Sequence, residues 1–286
     1  YGHGSSANHG NEAIVRGLKE IFHDYRIELF SFIVERDREF ELDEVATIHH
    51  NGIKLKKYNP INVIDHFYSR FTNADLPSYL KSEFKYIIQH NSKVYFLEAG
   101  DQYCESGRHR NFYAYINKKL NQKGKKTVAY GCSIDPEVLQ SKSVIKDLNR
   151  YSLILPRESV TYKALCKSDV NTKIFQISDP AFAMNSQEVP LPKQFSENNV
   201  VGINAGPLSQ GLQPFYGLFV DNNTNLIEYI LKNTEFSIAL IPHVHWGTGF
   251  SDLTTLNVLF EKFKSTGRVV LIPFQNAMTL KYIISK

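Results

Sequence analysis

At 286 residues, with 42% hydrophobic and 22% charged residues, the chain can bury one large core or two ordinary ones and is too apolar to be disordered. Its net charge of +4 comes from scattered lysines and one cluster at Lys118, Lys119, Lys123, Lys125 and Lys126, which reads as a solvated helix end, so no nucleic-acid partner is inferred. No apolar run approaches the roughly 18 residues that span a bilayer, and the three cysteines form no C-x-x-C pair, which excludes a disulfide framework and favours a reducing, cytoplasmic setting.

The chain opens on a glycine- and serine-rich loop leading into a helix with Ile14, Leu18 and Ile21 on one face, and Asn8 or Asn11 can cap that helix. Such loops normally follow a strand that aims the helix N-terminus at a ligand, so a first strand is expected ahead of Tyr1. The loop lacks the lysine of a P-loop and the third glycine of a dinucleotide fingerprint.

Strand and helix patterns then alternate. Arg26–Glu35 reads as a strand and Gly52–Lys57 as a weaker one. Asn59–Phe71 and Lys81–His90 read as helices, followed by a strand at Lys93–Leu97. A helix at His109–Leu120, a strand at Thr127–Tyr130 and a helix at Asp135–Leu148 come next. Tyr151–Leu155 is a strand, the turn after it carries Arg157 and Ser159, a helix follows, and Lys173–Ile177 is expected to be a further strand ending in Ser-Asp-Pro. The polar, proline-bearing stretch 185–199 reads as a linker between an N-terminal domain, 1–184, and a C-terminal domain, 200–286. Beyond the linker the strands are Val200–Asn204, Phe236–Ile241 and Val269–Ile272. The helices there are Asn223–Lys232, Leu253–Lys264 and Asn276–Ser285. This alternation predicts an α/β protein of two doubly wound parallel-sheet domains facing a cleft. Three strands are few for the second sheet, so that end is expected to be incomplete as well.

In such sheets ligands lie beyond the carboxyl ends of the strands, which gathers Glu98, Asp101, Ser133, Asp135, Arg157, Ser159, Asp179, Asn204, His243, His245 and Gln275 as candidates. Any one of them can also be polar simply because loops are. Arg157 with the first N–H groups of the following helix suits an anion, although pairing with a nearby carboxylate is the bland alternative. His243 and His245, in Ile241-Pro242-His243-Val244-His245-Trp246, could both face a metal, but no third ligand has an identifiable spacing. No metal is expected there, and His243 is better suited to contacting substrate.

Taken together, these landmarks resemble the polysaccharide pyruvyl transferase family. Asn8-His9-Gly10-Asn11-Glu12-Ala13 is similar to its N-x-G-(D/N)-E-A loop, Glu98-Ala99-Gly100-Asp101 to a strand end, and Gly131-Cys132-Ser133-Ile134 to G-x-S-I. Pro156-Arg157-Glu158-Ser159, Asp179-Pro180-Ala181-Phe182 and Ile241-Pro242-His243 resemble three further landmarks in the same order. The resemblance implies two Rossmann-like domains of glycosyltransferase B type. It also implies transfer of pyruvate from phosphoenolpyruvate, with no other cofactor, onto a sugar of a cell-surface glycan as a ketal. Arg157 would hold the donor and Asp101 would face the acceptor, with Asp101 and His243 catalytic and Asn8, Ser133, Ser159 and His245 lining the substrates. The acceptor would be a glycan or lipid-linked saccharide, which makes peripheral membrane association an expectation. The family's R-x-H pair, carrying the general acid, would lie beyond Lys286. Competing expectations are a nucleotide-sugar glycosyltransferase of the same layout and a glycan-binding relative without chemistry.

Overall fold

A computed structural model describes residues 1–52, 60, 81–98, 100–104, 110–197, 199–247 and 250–286. The chain divides into two compact units, Tyr1–Ser5 with Ile14–Ala183, and Ser6–Ala13 with Met184–Lys286. All named strand pairings are parallel, so the α/β class read from the alternation is the class observed.

In the first unit, β1 (Glu28–Ser31) pairs with β2 (Thr47–His50), and β3 (Val94–Glu98), β4 (Lys126–Cys132) and β5 (Leu153–Pro156) form a second sheet. Successive side chains of a strand alternate between faces. Leu97, Ala129 and Ile154 therefore join one buried cluster, together with Ile116 and Leu120 of α4 and Leu148 of α5 (α1 His9–Ile21, α2 Val34–Glu39, α3 Lys85–Gln89, α4 Arg110–Gln122, α5 Lys142–Leu148). Phe96, Val128, Tyr130 and Leu155 face the other way, onto Ile14 and Leu18 of α1. Each fully buried aliphatic side chain here contributes about 1.5–3 kcal/mol. The helix α6 (Ser159–Cys166) closes this unit's series.

In the second unit, β6 (Val200–Ile203), β7 (Ser237–Leu240) and β8 (Val269–Leu271) form a sheet in that order. Ile203, Ile238, Leu240 and Val269 pack with Phe219 of α9 and Leu256 and Leu259 of α10 (α7 Gln194–Glu197, α8 Pro207–Gly211, α9 Tyr216–Asn233, α10 Asp252–Phe263, α11 Ala277–Ile284). The opposite face of the sheet meets Leu280 and Ile283 of α11. Residues 185–199 are not a bare connection: Val189, Leu191 and Phe195 pack on that second cluster.

Several expectations are corrected. The apolar run Arg26–Glu35 is strand only to Ser31, whose Oγ accepts the N–H of Ile33 at 3.0 Å and turns the chain into α2; the continuous hydrophobicity hides that break. The polar segment of β2 was missed because its residues are half-exposed and lack a clear alternation. Asp135–Leu148 is two pieces, a 3-10 turn over Pro136–Gln140 and α5, separated by Ser141 in an extended conformation. Lys173–Ile177 is not a regular strand. It runs along the edge of β5, held by Ile154 N–H to Lys173 O and Ile177 N–H to Pro156 O, both at 3.0 Å, with one bridge at Ile174 and Phe175 facing solvent. The stretches expected as a strand at Gly52–Lys57 and a helix at Asn59–Phe71 fall almost entirely outside the described residues.

Candidate functional site

Within the second unit, the end of β7 is locked by one carboxylate. Asp252, buried at the first turn of α10, accepts on Oδ2 the N–H groups of His243 at 2.7 Å and Val244 at 3.0 Å, and the Nδ2 of Asn204 at 2.7 Å. A carboxylate at a helix N-terminus meets a favourable dipole, and three donors satisfy an ion that would otherwise be costly to bury. Gly206 makes room for it, since a Cβ there would stand 2.6 Å from Asp252 Oδ1. The segment carrying His243 and His245 is thereby held against the helix rather than left as a mobile loop end.

The glycine-loop residues of this unit dock onto that segment. His9 N–H donates to His243 O at 3.0 Å, His245 N–H donates to Ala7 O at 2.7 Å, and Asn8 bridges Val244 in an antiparallel pair. Asn8 also starts α1, its Oδ1 accepting the N–H of Gly10 at 2.9 Å. The backbone bonds bring three imidazoles to one segment. The His9 ring stacks on Phe274, centroids 4.2 Å apart, and His245 meets the same ring edge-on at 5.4 Å. Glu12 Oε2 lies 3.1 Å from His9 Nδ1 and accepts the N–H of Ala277 at 3.0 Å, tying the loop to the start of α11. Ser251 Oγ lies 2.7 Å from His245 Nδ1 and fixes that ring as well.

Burial pushes the His243 imidazole below its usual range. The neighbouring His9 pushes in the same direction, and Asp252 opposes both. His243 is therefore neutral at pH 7 and able to accept a proton. The arrangement provides an unprotonated base on a rigid segment, flanked by two oriented rings.

The first unit holds the other candidates. Arg157, after β5, donates from Nε to Ser133 Oγ at 2.9 Å and from Nη1 to Asp179 Oδ2 at 2.7 Å, with about 29% of its side chain exposed. It lies across Gly100, where a Cβ would come within 2.5 Å of Arg157 Nη2, so only glycine admits the guanidinium. The carboxylate pairing weighed from the sequence is thus present, and Asp179 belongs to the same landmark series as Arg157. The expected open helix N-terminus is corrected: Glu158 caps α6, accepting the N–H of Val160 at 2.6 Å and of Thr161 at 3.0 Å, so those donors are taken by a carboxylate of the chain itself. Ser159 is exposed beside that cap, and Asp101 is exposed in the turn after β3.

Also in the first unit, His3 is fully buried between Asp37 Oδ1, 3.0 Å from Nε2, and Glu98 Oε2, 3.2 Å from Nδ1. Burial pushes its imidazole down, but Glu98 and then Asp37 outweigh that and raise it to about 9. His3 is a protonated link between two carboxylates, and it explains why Glu98, a strand-end candidate, faces inward.

His9, Glu12, Asp252 and Phe274 had no place among the predicted site residues. His9 and Glu12 lie inside the N-x-G-N-E-A landmark, so the motif was the signal; Asp252 and Phe274 carry none, because their role follows from backbone contacts far apart in sequence.

Among known proteins, the profile described as polysaccharide pyruvyl transferase matches residues 8–286. No curated protein sequence matches the chain. Among solved structures the fold is similar to that of Glycyrrhiza uralensis UGT73P12 complexed with glycyrrhetinic acid 3-O-monoglucuronide. The likeness has 12% identity and a TM-score of 0.47, covering 92% of this chain and 66% of that one. No helix among the described residues is long and apolar enough to cross a membrane.

Proposed function

The chain belongs to the polysaccharide pyruvyl transferase family, and from that membership we propose that it transfers pyruvate from phosphoenolpyruvate to two hydroxyls of a sugar in a cell-surface glycan or its lipid-linked precursor, as a cyclic ketal. The observation that supports the reading is the family match itself, over residues 8–286, with the loop it includes: Asn8 and His9 pair with the His243 segment, and Glu12 binds His9.

The chemistry sets what the residues must do. The methylene carbon of phosphoenolpyruvate takes a proton and becomes the methyl group. A sugar hydroxyl oxygen bonds to the adjacent carbon, whose bond to the phosphate oxygen breaks, and a second hydroxyl closes the ring. Of the two hydroxyl protons released, one balances the proton gained by carbon and one leaves with phosphate. His243, neutral at pH 7, is the proposed acceptor of a hydroxyl proton. Arg157 is the proposed donor-binding cation. Its Nη1 and Nε are directed by Asp179 and Ser133, which fix the fork for an incoming carboxylate or phosphate. Asp101, toward the acceptor, is proposed as a second catalytic group, and Asn8, Ser133, Ser159 and His245 are proposed to line the substrates.

The deciding assay follows phosphate release from phosphoenolpyruvate with and without a panel of acceptor saccharides. Acceptor-dependent release supports the reading. A product that forms only with a nucleotide-sugar makes the chain a glycosyltransferase instead, and saccharide binding without product from either donor makes it a glycan-binding relative.

A further inference from the structure

Away from the residues discussed so far, Glu28, His49 and His90 of the first unit each bring one ligand atom to a common point, all within 4.8 Å of one another. The register pairs Glu28 with Thr47, so His49, two residues further along β2, stands on the same face as Glu28. His90 reaches the point from the end of α3. The His49 and His90 rings are 5.4 Å apart, and Phe30 contacts both, at 5.2 and 5.3 Å.

We propose that Glu28, His49 and His90 form a divalent transition-metal site, with zinc the ion best matched to two imidazoles and a carboxylate. Two neutral imidazoles with one carboxylate oxygen make an open three-ligand zinc set, whereas magnesium and calcium call for oxygen donors. A plain ion pair accounts for Glu28 and His49, whose Oε2 and Nε2 are 2.6 Å apart. His90 stands outside that pair: Ser92 and ring contacts with Phe30 and His49 hold it, and it brings a third ligand atom to the same point. Two outer contacts also fit a ligand set. Arg26 Nε donates to Glu28 Oε1 at 2.7 Å, so Oε2 is the oxygen turned to His49 and the common point, and Ser92 Oγ lies 2.9 Å from His90 Nδ1, fixing that ring. Glu28 and His90 also line a cavity of about 640 Å³. A bound ion would tie the β1–β2 sheet to the connection between α3 and β3, and would stabilise the folded chain by mass action.

The test is titration of the full chain with Zn²⁺ by calorimetry and with Co²⁺ by visible absorption. It is run on the native protein, on a background carrying His243→Ala and His245→Ala, and on that background with His49→Ala or His90→Ala added. The proposal predicts one saturable site that survives in the background, a Co²⁺ absorption band displaced by Zn²⁺, a higher Tm with metal, and affinity lower by about tenfold or more in each added variant. Absence of saturable binding to the native chain overturns it. So does binding lost in the background alone, or unchanged when His90→Ala is added. Circular dichroism of the metal-free variants establishes that they fold, and if His49→Ala does not, His90→Ala, at a helix end outside the sheet, decides the matter.

Discussion

Glu12 and His9 form a buried pair one helical turn apart, carboxylate Oε2 to imidazole Nδ1 at 3.1 Å, and the same oxygen accepts the N–H of Ala277. One side chain thus orients a ring and anchors the start of α11. Glu12→Ala strands a backbone donor and a ring nitrogen that are both buried, and is expected to cost about 1–3 kcal/mol for each group left unpaired. Urea denaturation reads the loss. Glu12→Gln keeps an acceptor for Ala277 and should recover at least half of it; equal loss in both variants would show that charge, not hydrogen bonding, matters at this position.

His3 predicts a pH dependence with a definite sign. Its folded-state pKa, about 9, is raised above the usual value near 6.5, so its stabilising effect is complete below pH 6.5 and is lost as pH rises through 9. Stability should therefore fall by a few kcal/mol between those limits, on the order of one proton released on unfolding. Denaturation midpoints of the native chain and of His3→Gln across pH 6–10 check this, and the variant should show a flatter profile. A native profile already flat across that window would mean that His3 is not held protonated by Asp37 and Glu98.

These two relationships mark what could be read from the sequence and what could not. The alternation of strand and helix was legible because buried parallel strands are short apolar runs, as at Val94–Glu98 and Lys126–Cys132. The start of the last helix was legible too: α11 begins one residue from the expected place, after its cap Asn276, whose Oδ1 accepts the N–H of Thr279 at 2.9 Å. Breaks produced by a side-chain turn inside an apolar run, as at Ser31, leave no such signature. Among the candidate residues, His243 and Arg157 were visible as polar residues after strands. Asp252 was not, because an acid in the first turn of a helix looks like an ordinary dipole partner until its three donors are seen. The N-terminus of α6 misled for a related reason: its first N–H groups were expected to be open to an anion, and Glu158 closes them.

Arg157 separates a binding role from a structural one. Arg157→Ala should weaken phosphoenolpyruvate binding by about 1.5–3 kcal/mol if the guanidinium contacts the donor. Gly100→Ala is a second probe, because its methyl group would displace the guanidinium while leaving the charge in the chain. Calorimetric binding of phosphoenolpyruvate to both variants should show a similar loss. Unchanged affinity in folded Arg157→Ala would confine the residue to its contacts with Ser133 and Asp179.

His243 carries a kinetic prediction. A lowered pKa places the acid limb of kcat/KM below the ordinary imidazole value of about 6.5. His243→Asn should remove that limb and reduce the rate by about 10²–10⁴-fold, the usual range for loss of a general base. A rate reduced in His243→Asn with the limb still in place would assign the titration to another group.

The most direct measurement of pyruvyl transfer uses phosphoenolpyruvate labelled with ¹³C at its central carbon, acceptor saccharides with two free hydroxyls spaced to close a five- or six-membered ring, and carbon NMR of the product. The reading predicts that the label moves from the enol position to a ketal carbon bonded to two sugar oxygens, with one phosphate released per ketal formed. Label that remains in phosphoenolpyruvate across the acceptor panel, while the same chain transfers sugar from a nucleotide-sugar, would contradict it.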